Sequence, residues 1–271
     1  MTEASATLVD SGPSALGRLM APVSAGVNDI AGLFRLLGRT LTLISQGKRE
    51  KGALLEQMYI IGNRSLIFMC ITMGFIGAII TFQSAVQSQR LLPDLTMLGA
   101  TFIKLLVRDM AASLGAMPLA TRVGAGIAAE IGSMVVTDQV DALRMCAADP
   151  VDYLVVPRFI AATIMGTAVL IIAGAVAILS GMVIANGVFD VNFHTYLNFS
   201  MVTLGDVGLG VTKMVAFCAA IAIISAQRGL STFGGSEGVG TATTRAVVGS
   251  SFAIIVLNFF ISGLGYFFVP S

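Results

Sequence analysis

The 271-residue chain is 56% hydrophobic and 11% charged, with a formal net charge of +1 and a mean hydropathy of +0.89. Soluble domains carry about 25% charged residues, so this composition describes an integral membrane protein, and the near-neutral balance argues against a nucleic-acid partner. Cys70, Cys146 and Cys218 are far apart and form no CxxC pair, so neither a disulfide framework nor a zinc site is indicated.

Residues 1–25 are rich in Ser, Ala, Gly and Pro and read as a flexible tail. They lack the compact apolar core behind a basic start that marks a secretory signal. Ile30, Leu33, Phe34, Leu37, Leu41 and Ile44 then recur at helical spacing, with Asp29, Arg35 and Arg39 off the stripe. That pattern predicts an amphipathic helix, too charged to span, within a 26–65 segment. It suits a helix lying in the membrane interface, and an ordinary packed helix fits it too.

Five apolar segments follow within 66–269, at about 66–82, 100–128, 154–185, 207–226 and 246–269. Each approaches or exceeds the ~20 residues that cross a ~30 Å hydrocarbon core. Lys104, Arg108, Asp109 and Arg122 interrupt the second, and Lys213 lies in the fourth. No internal repeat stands out.

Orientation follows from the distribution of Lys and Arg. Arg18, Arg35, Arg39, Lys48, Arg49, Lys51 and Arg64 precede the first span; Arg122, Arg144 and Arg158 surround the second connection, and Arg228 and Arg245 flank the fourth. The opposite loops hold only Arg90. The rule therefore predicts a cytoplasmic N-terminus, five spans and an outer C-terminus.

The second connection is also acidic: Glu130, Asp138, Asp141, Asp149 and Asp152 fall within 23 residues. An unpaired carboxylate facing lipid costs at least ~2.5–3.5 kcal/mol, so this block must sit in water or against another protein, and it reads as a docking element. Inside the spans, Arg108, Asp109 and Lys213 are the ionisable candidates. Charge at that depth is a functional hypothesis by default. A basic pair in an outward-facing cavity suits an anionic headgroup; the alternative is that these groups pair with other spans or snorkel to the interface.

The run 234–240 (GGSEGVG) lacks the Lys-Ser/Thr ending of a phosphate loop and reads as a tight cytoplasmic turn. His194 stands alone on the outer side and reads as a solvated loop residue. The small residues Gly115, Gly124, Gly126, Ala128, Ala129 and Gly132 permit close helix approach, within one chain or across a dimer seam.

Four stretches carry a resemblance: 120–134 (ATRVGAGIAAEIGSM), 136–143 (VTDQVDAL), 149–158 (DPVDYLVVPR) and 234–247 (GGSEGVGTATTRAV). With them the chain resembles the MlaE/YrbE permeases, the membrane subunits of ABC-type lipid transporters that work with MCE proteins. The resemblance covers about residues 30–269. It implies an all-α membrane fold, with an interfacial helix, five spans and a cytoplasmic coupling helix at about 129–148 between spans two and three. It implies a homodimer in the inner membrane of a bacterium, with a periplasmic C-terminus. Each permease would dock a cytoplasmic ABC ATPase through Glu130, Asp138, Asp141 and Arg144. ATP hydrolysis would belong to that partner, and the permease would be a transport subunit with no cofactor of its own. An MCE-domain protein would sit on the outer face, and a small STAS-type subunit is a further expected partner. Arg108, Asp109 and Lys213 match positions that line or border the family's central pocket for membrane lipid, expected to be phospholipid. Gly234, Gly235, Glu237, Gly238, Gly240 and Arg245 match the cytoplasmic turn. Two departures are Asn258, where many relatives have an acid, and the basic Lys104. An ion- or proton-coupled carrier and a lipid-modifying enzyme are the rival readings; the enzyme would need a nucleophile or metal cluster that the sequence does not display.

Overall fold

A computed structural model of the chain describes residues 15–46, 51–91 and 98–268. The described residues form helices and connections: α1 Ala15–Gln46, α2 Lys51–Leu91, α3 Leu98–Val136, α4 Gln139–Met145, α5 Val151–Phe189, α6 Phe193–Tyr196, α7 Leu204–Leu230 and α8 Gly235–Phe268. Five of these, α2, α3, α5, α7 and α8, are long and apolar enough to cross a membrane, as the hydropathy predicts.

All five are longer than the apolar segments that announce them. At 1.5 Å per residue, the 39-residue α3 extends about 58 Å, so its ends project beyond a ~30 Å core. A helix continues as long as its backbone bonds are satisfied, while hydropathy falls at the headgroups. For this reason α2 runs to Leu91, beyond the apolar segment expected at about 66–82.

The glycine-rich segment needs a larger correction. The tight turn expected over 234–240 is confined to the residues leading into α8, which starts at Gly235 and takes in Glu237, Gly238, Gly240 and Arg245. Gly234 and Gly235 do adopt positive φ, 92° and 74°. Gly238 serves a different purpose: a Cβ there would lie 2.0 Å from the Phe233 carbonyl oxygen, so the helix start can fold onto the turn only without a side chain.

The acidic connection is not one continuous helix over 129–148. α3 ends at Val136, Asp138 takes a left-handed φ of 58°, and α4 is a separate seven-residue helix. Asp tolerates that backbone region better than most residues. Ala147, with φ 57°, redirects the chain again before α5.

α2 packs along α5, and α7 lies between α3, α5 and α8. Met69, Met73, Leu119, Leu170, Phe217 and Ile221 fill the shared core. Small residues set the closeness. A Cβ at Gly77 would meet the Ala177 carbonyl oxygen at 2.3 Å, and one at Gly210 would meet that of Val107 at 2.1 Å.

α1 begins at Ala15, within the segment expected as a tail, and residues 1–14 lie outside the described residues. It is not among the helices apolar enough to span. Its single expected stripe divides in two. Leu33, Leu37 and Ile44 turn inward with Leu36 and Leu43, while Ile30, Phe34 and Leu41 are exposed. Ion pairs of 2.8 Å join Asp29 to Arg228 on α7 and Arg39 to Asp149 ahead of α5. The helix is thus strapped across the ends of two spans.

Candidate functional site

α3 departs from α-helical geometry at Leu106–Met110 and Ala120–Gly124, each a single π turn. Such turns insert a residue into the helix and often mark functional positions. The first carries Arg108 and Asp109, opposite the close approach of Gly210 on α7.

Two ion pairs cross from this turn to α7. Lys213, 1% exposed, donates from Nζ to Asp109 Oδ1 and to Ser262 Oγ of α8 at 2.7 Å. Ser262 in turn lies 3.5 Å from Asn258 Oδ1. Arg108 Nη1 donates to Asp206 Oδ1 at 3.0 Å. Asp206 is 1% exposed and also accepts from the Thr203 N–H and hydroxyl, at 3.1 and 2.9 Å. The Asp206 N–H closes a reciprocal cap on Thr203 Oγ1.

The structure therefore brings Asp109 and Lys213 together and turns Arg108 toward a different acid. The two bases do not form a free cationic pair. They belong to a balanced network of two cations and two anions, whose open edges are Asp109 at 41% and Arg108 at 21% exposure. Burying an isolated charge is costly and burying a pair much less so; the pairing lets the bundle hold four charges at this depth. Asp206 and Ser262 were not identified as candidates from the sequence. The Thr203-x-x-Asp206 spacing ahead of an apolar run is the capping signal that could have exposed Asp206.

Some 20 residues along α3, a second set of charges lies near the opposite end. Arg158 of α5, 8% exposed, donates Nε and Nη2 to Glu130 Oε2, both at 3.2 Å, and Nη1 to the Leu154 carbonyl at 2.9 Å. Glu130 thus joins α3 to α5. Asp141 and Arg144 pair at 2.8 Å along α4, both 65% exposed. Asp138 is exposed at the junction before them. Beside α4, Met134, Leu143, Cys146, Tyr153 and Leu154 line a shallow apolar cavity of about 280 Å³, and Met145 stands 85% exposed. Phe233, in the turn before Gly234, is 92% exposed.

The Arg108–Asp206 and Asp109–Lys213 pairs share one end of the bundle with α6 and the C-terminal part of α8. Glu130, Arg158, α4 and the strapped α1 share the other.

Comparison with known proteins gives the following. The family model described as Permease MlaE matches residues 54–264. A probable ABC transporter permease protein of Synechocystis is 40% identical over 233 residues, 85% of this chain and 88% of its own. A probable ABC transporter permease protein of Rickettsia typhi is 38% identical over 215 residues, 78% of this chain and 82% of its own. The chloroplastic protein Trigalactosyldiacylglycerol 1 of Arabidopsis thaliana is 30% identical over 229 residues, 84% of this chain and 65% of its own.

Proposed function

Since the chain belongs to the MlaE permease family and is the multi-pass membrane subunit of an ABC transporter, we propose that it moves phospholipid across or out of a bacterial inner membrane, as a homodimer working with an MCE-domain protein. The family assignment makes it a transport subunit rather than an enzyme, with ATP hydrolysed by a partner ATPase. Neither rival reading, the ion-coupled carrier or the lipid-modifying enzyme, agrees with that assignment.

The observation that carries the lipid reading is the half-open charge network of Arg108, Asp109, Lys213 and Asp206, set in an apolar bundle. Guanidinium and ammonium groups bind phosphate through short charge-assisted hydrogen bonds. A phosphate that approaches Arg108 can share its donors with Asp206, and an ammonium headgroup can reach the exposed edge of Asp109. The Arabidopsis relative supports the same class of cargo, because its name is that of a glycerolipid.

In this reading the N-terminus, α1, α4 and the Gly234–Gly235 turn face the cytoplasm, and the C-terminus faces the periplasm, in keeping with the Lys/Arg distribution. The coupling element is α4 with its flanks. Asp141 and Arg144 present charge, and Met145 with the neighbouring cavity presents apolar surface, for the ATPase to engage. Asp138 lies at the junction that joins this element to α3, and Glu130 lies inside the last part of α3. The unit 66–269 is the permease proper, 26–65 its interfacial brace, and a STAS-type subunit a further member of the assembly.

The test is ATP-dependent transfer of labelled phospholipid from proteoliposomes that hold the permease, its ATPase and its MCE partner. Transfer should need all three and should fall when Arg108 and Lys213 are both replaced by alanine. ATP hydrolysis without lipid movement, or purified protein with no bound phospholipid, would refute the cargo.

A further inference from the structure

A second basic site lies about 21 Å from Arg108 along α3, at fourteen residues of 1.5 Å rise. It is a cleft between α2 and α3, lined by Arg64, Ser65, Arg122, Gly126 and Glu130 among others. Its volume is about 80 Å³, room for a few waters or one phosphate group and too little for an acyl chain. Arg122 sits on the second π turn of α3.

Among the described residues Glu130 is the only acid lining this cleft, and its carboxylate is already held by Arg158. Among the described residues neither Arg64 nor Arg122 forms an ion pair. Each lies about 20 Å along its helix from the same end of the bundle, thirteen residues after Lys51, where α2 begins, and fourteen before Val136, where α3 ends. Both side chains are exposed, so each presents an unpaired cation that an anion from outside the chain can meet.

The face of α2 above the cleft shows what could compensate it. Ile67, Phe68, Ile71 and Phe75 follow Arg64 at steps of three, four, seven and eleven residues, and are 71%, 44%, 57% and 68% exposed. Those steps keep to one helix face. An exposed apolar ladder therefore starts at Arg64 and runs toward the middle of the membrane.

We propose that the cleft binds the phosphate of a phospholipid from the cytoplasmic leaflet, with its chains lying on the α2 ladder. Arg64 and Arg122 donate to the phosphate oxygens, and a primary ammonium headgroup can reach Glu130. The two arginines thereby gain a counter-charge that no ion pair among the described residues supplies. The site is separate from the network at the other end, and its leaflet rests on the topology proposed above.

The experiment counts phospholipids retained by the full-length permease, using native mass spectrometry after detergent washing. Arg64→Gln with Arg122→Gln should remove one phospholipid per protomer, while Arg64→Lys with Arg122→Lys retains it, since lysine still binds phosphate as a point charge. Arg122→Gln alone should lower retention several-fold and keeps the measurement available if the double variant does not fold. An unchanged lipid count in a folded double variant would overturn the proposal. So would complete displacement by excess inorganic phosphate, which would identify a site for free phosphate. Impermeant labelling of a cysteine at Ser133 from the outer side would overturn the leaflet assignment and the topology, whatever the lipid count.

Discussion

Lys213 of α7 and Asp109 of α3 form an ion pair whose two halves differ in exposure: the lysine side chain is 1% exposed and the aspartate 41%. Removing the aspartate strands a buried ammonium with Ser262 as its remaining partner. Removing the lysine leaves a carboxylate that already reaches the surface. Loss of one partner from a buried pair costs about 3–5 kcal/mol. Asp109→Asn should therefore lower the thermal unfolding temperature in detergent far more than Lys213→Met, which replaces the buried charge with an apolar chain of similar reach. Equal losses would show that the pairing does not set the stability.

Gly210 should be intolerant of even one methyl group. Its Cβ would sit 2.1 Å from the Val107 carbonyl oxygen, against the π turn that carries Arg108 and Asp109. Overpacking typically costs about 1–3 kcal/mol, and here it also parts the elements that make both ion pairs. Gly210→Ala should reduce stability and co-purified lipid together. Gly208→Ala, where nothing lies within 4 Å, should leave both near wild type.

Glu130→Lys should disturb two things that a second substitution can separate. It sets a cation against the 8%-exposed Arg158, and it changes the charge at the base of the proposed coupling element. Recovery of the ATPase in a pull-down should fall. Glu130→Arg combined with Arg158→Glu should regain thermal stability by restoring the pair. Undiminished ATPase recovery by a folded Glu130→Lys variant would confine Glu130 to clamping α3 on α5.

Native cysteines offer a test of topology. Cys146 is exposed beside α4, and Cys218 is buried. A membrane-impermeant maleimide should label Cys146 from the cytoplasmic side only. A cysteine at the exposed His194, in a background without the native three, should be labelled only from the periplasmic side. Labelling of both from one side would sink the five-span arrangement.

The phenol of Tyr196 should titrate late. It is buried in the α6 connection near Thr81, and burial pushes it up to about 12 from 10.0. The neutral form is the one favoured by folding, so its contribution is whole below pH 10.0 and is lost as pH rises toward about 12. A difference titration of tyrosinate absorbance, wild type against Tyr196→Phe, reads this directly. Ionisation near the ordinary value would place the phenol in water.

Much of this architecture is legible in the sequence, because the features are local. Five apolar runs become spans since each helix meets its own backbone hydrogen bonds in lipid. The charges of α1 keep it from joining them, and Gly234 and Gly235 take the positive φ that glycine allows. The motif-bearing stretches likewise carry the family in their residue order. What only the tertiary structure decides is which charge meets which. Asp206 stands 98 residues from Arg108, and Lys213 stands 104 from Asp109; no periodicity couples positions so far apart. Whether Arg108 faces Lys213's partner or another acid depends on a π turn and on how closely Gly210 lets two helices approach. The same holds for Glu130, whose exposure on an acidic segment suggests docking, while the packing of α5 on α3 gives it Arg158. Hydropathy and turn chemistry act along the chain, whereas ion pairing depends on distances across it.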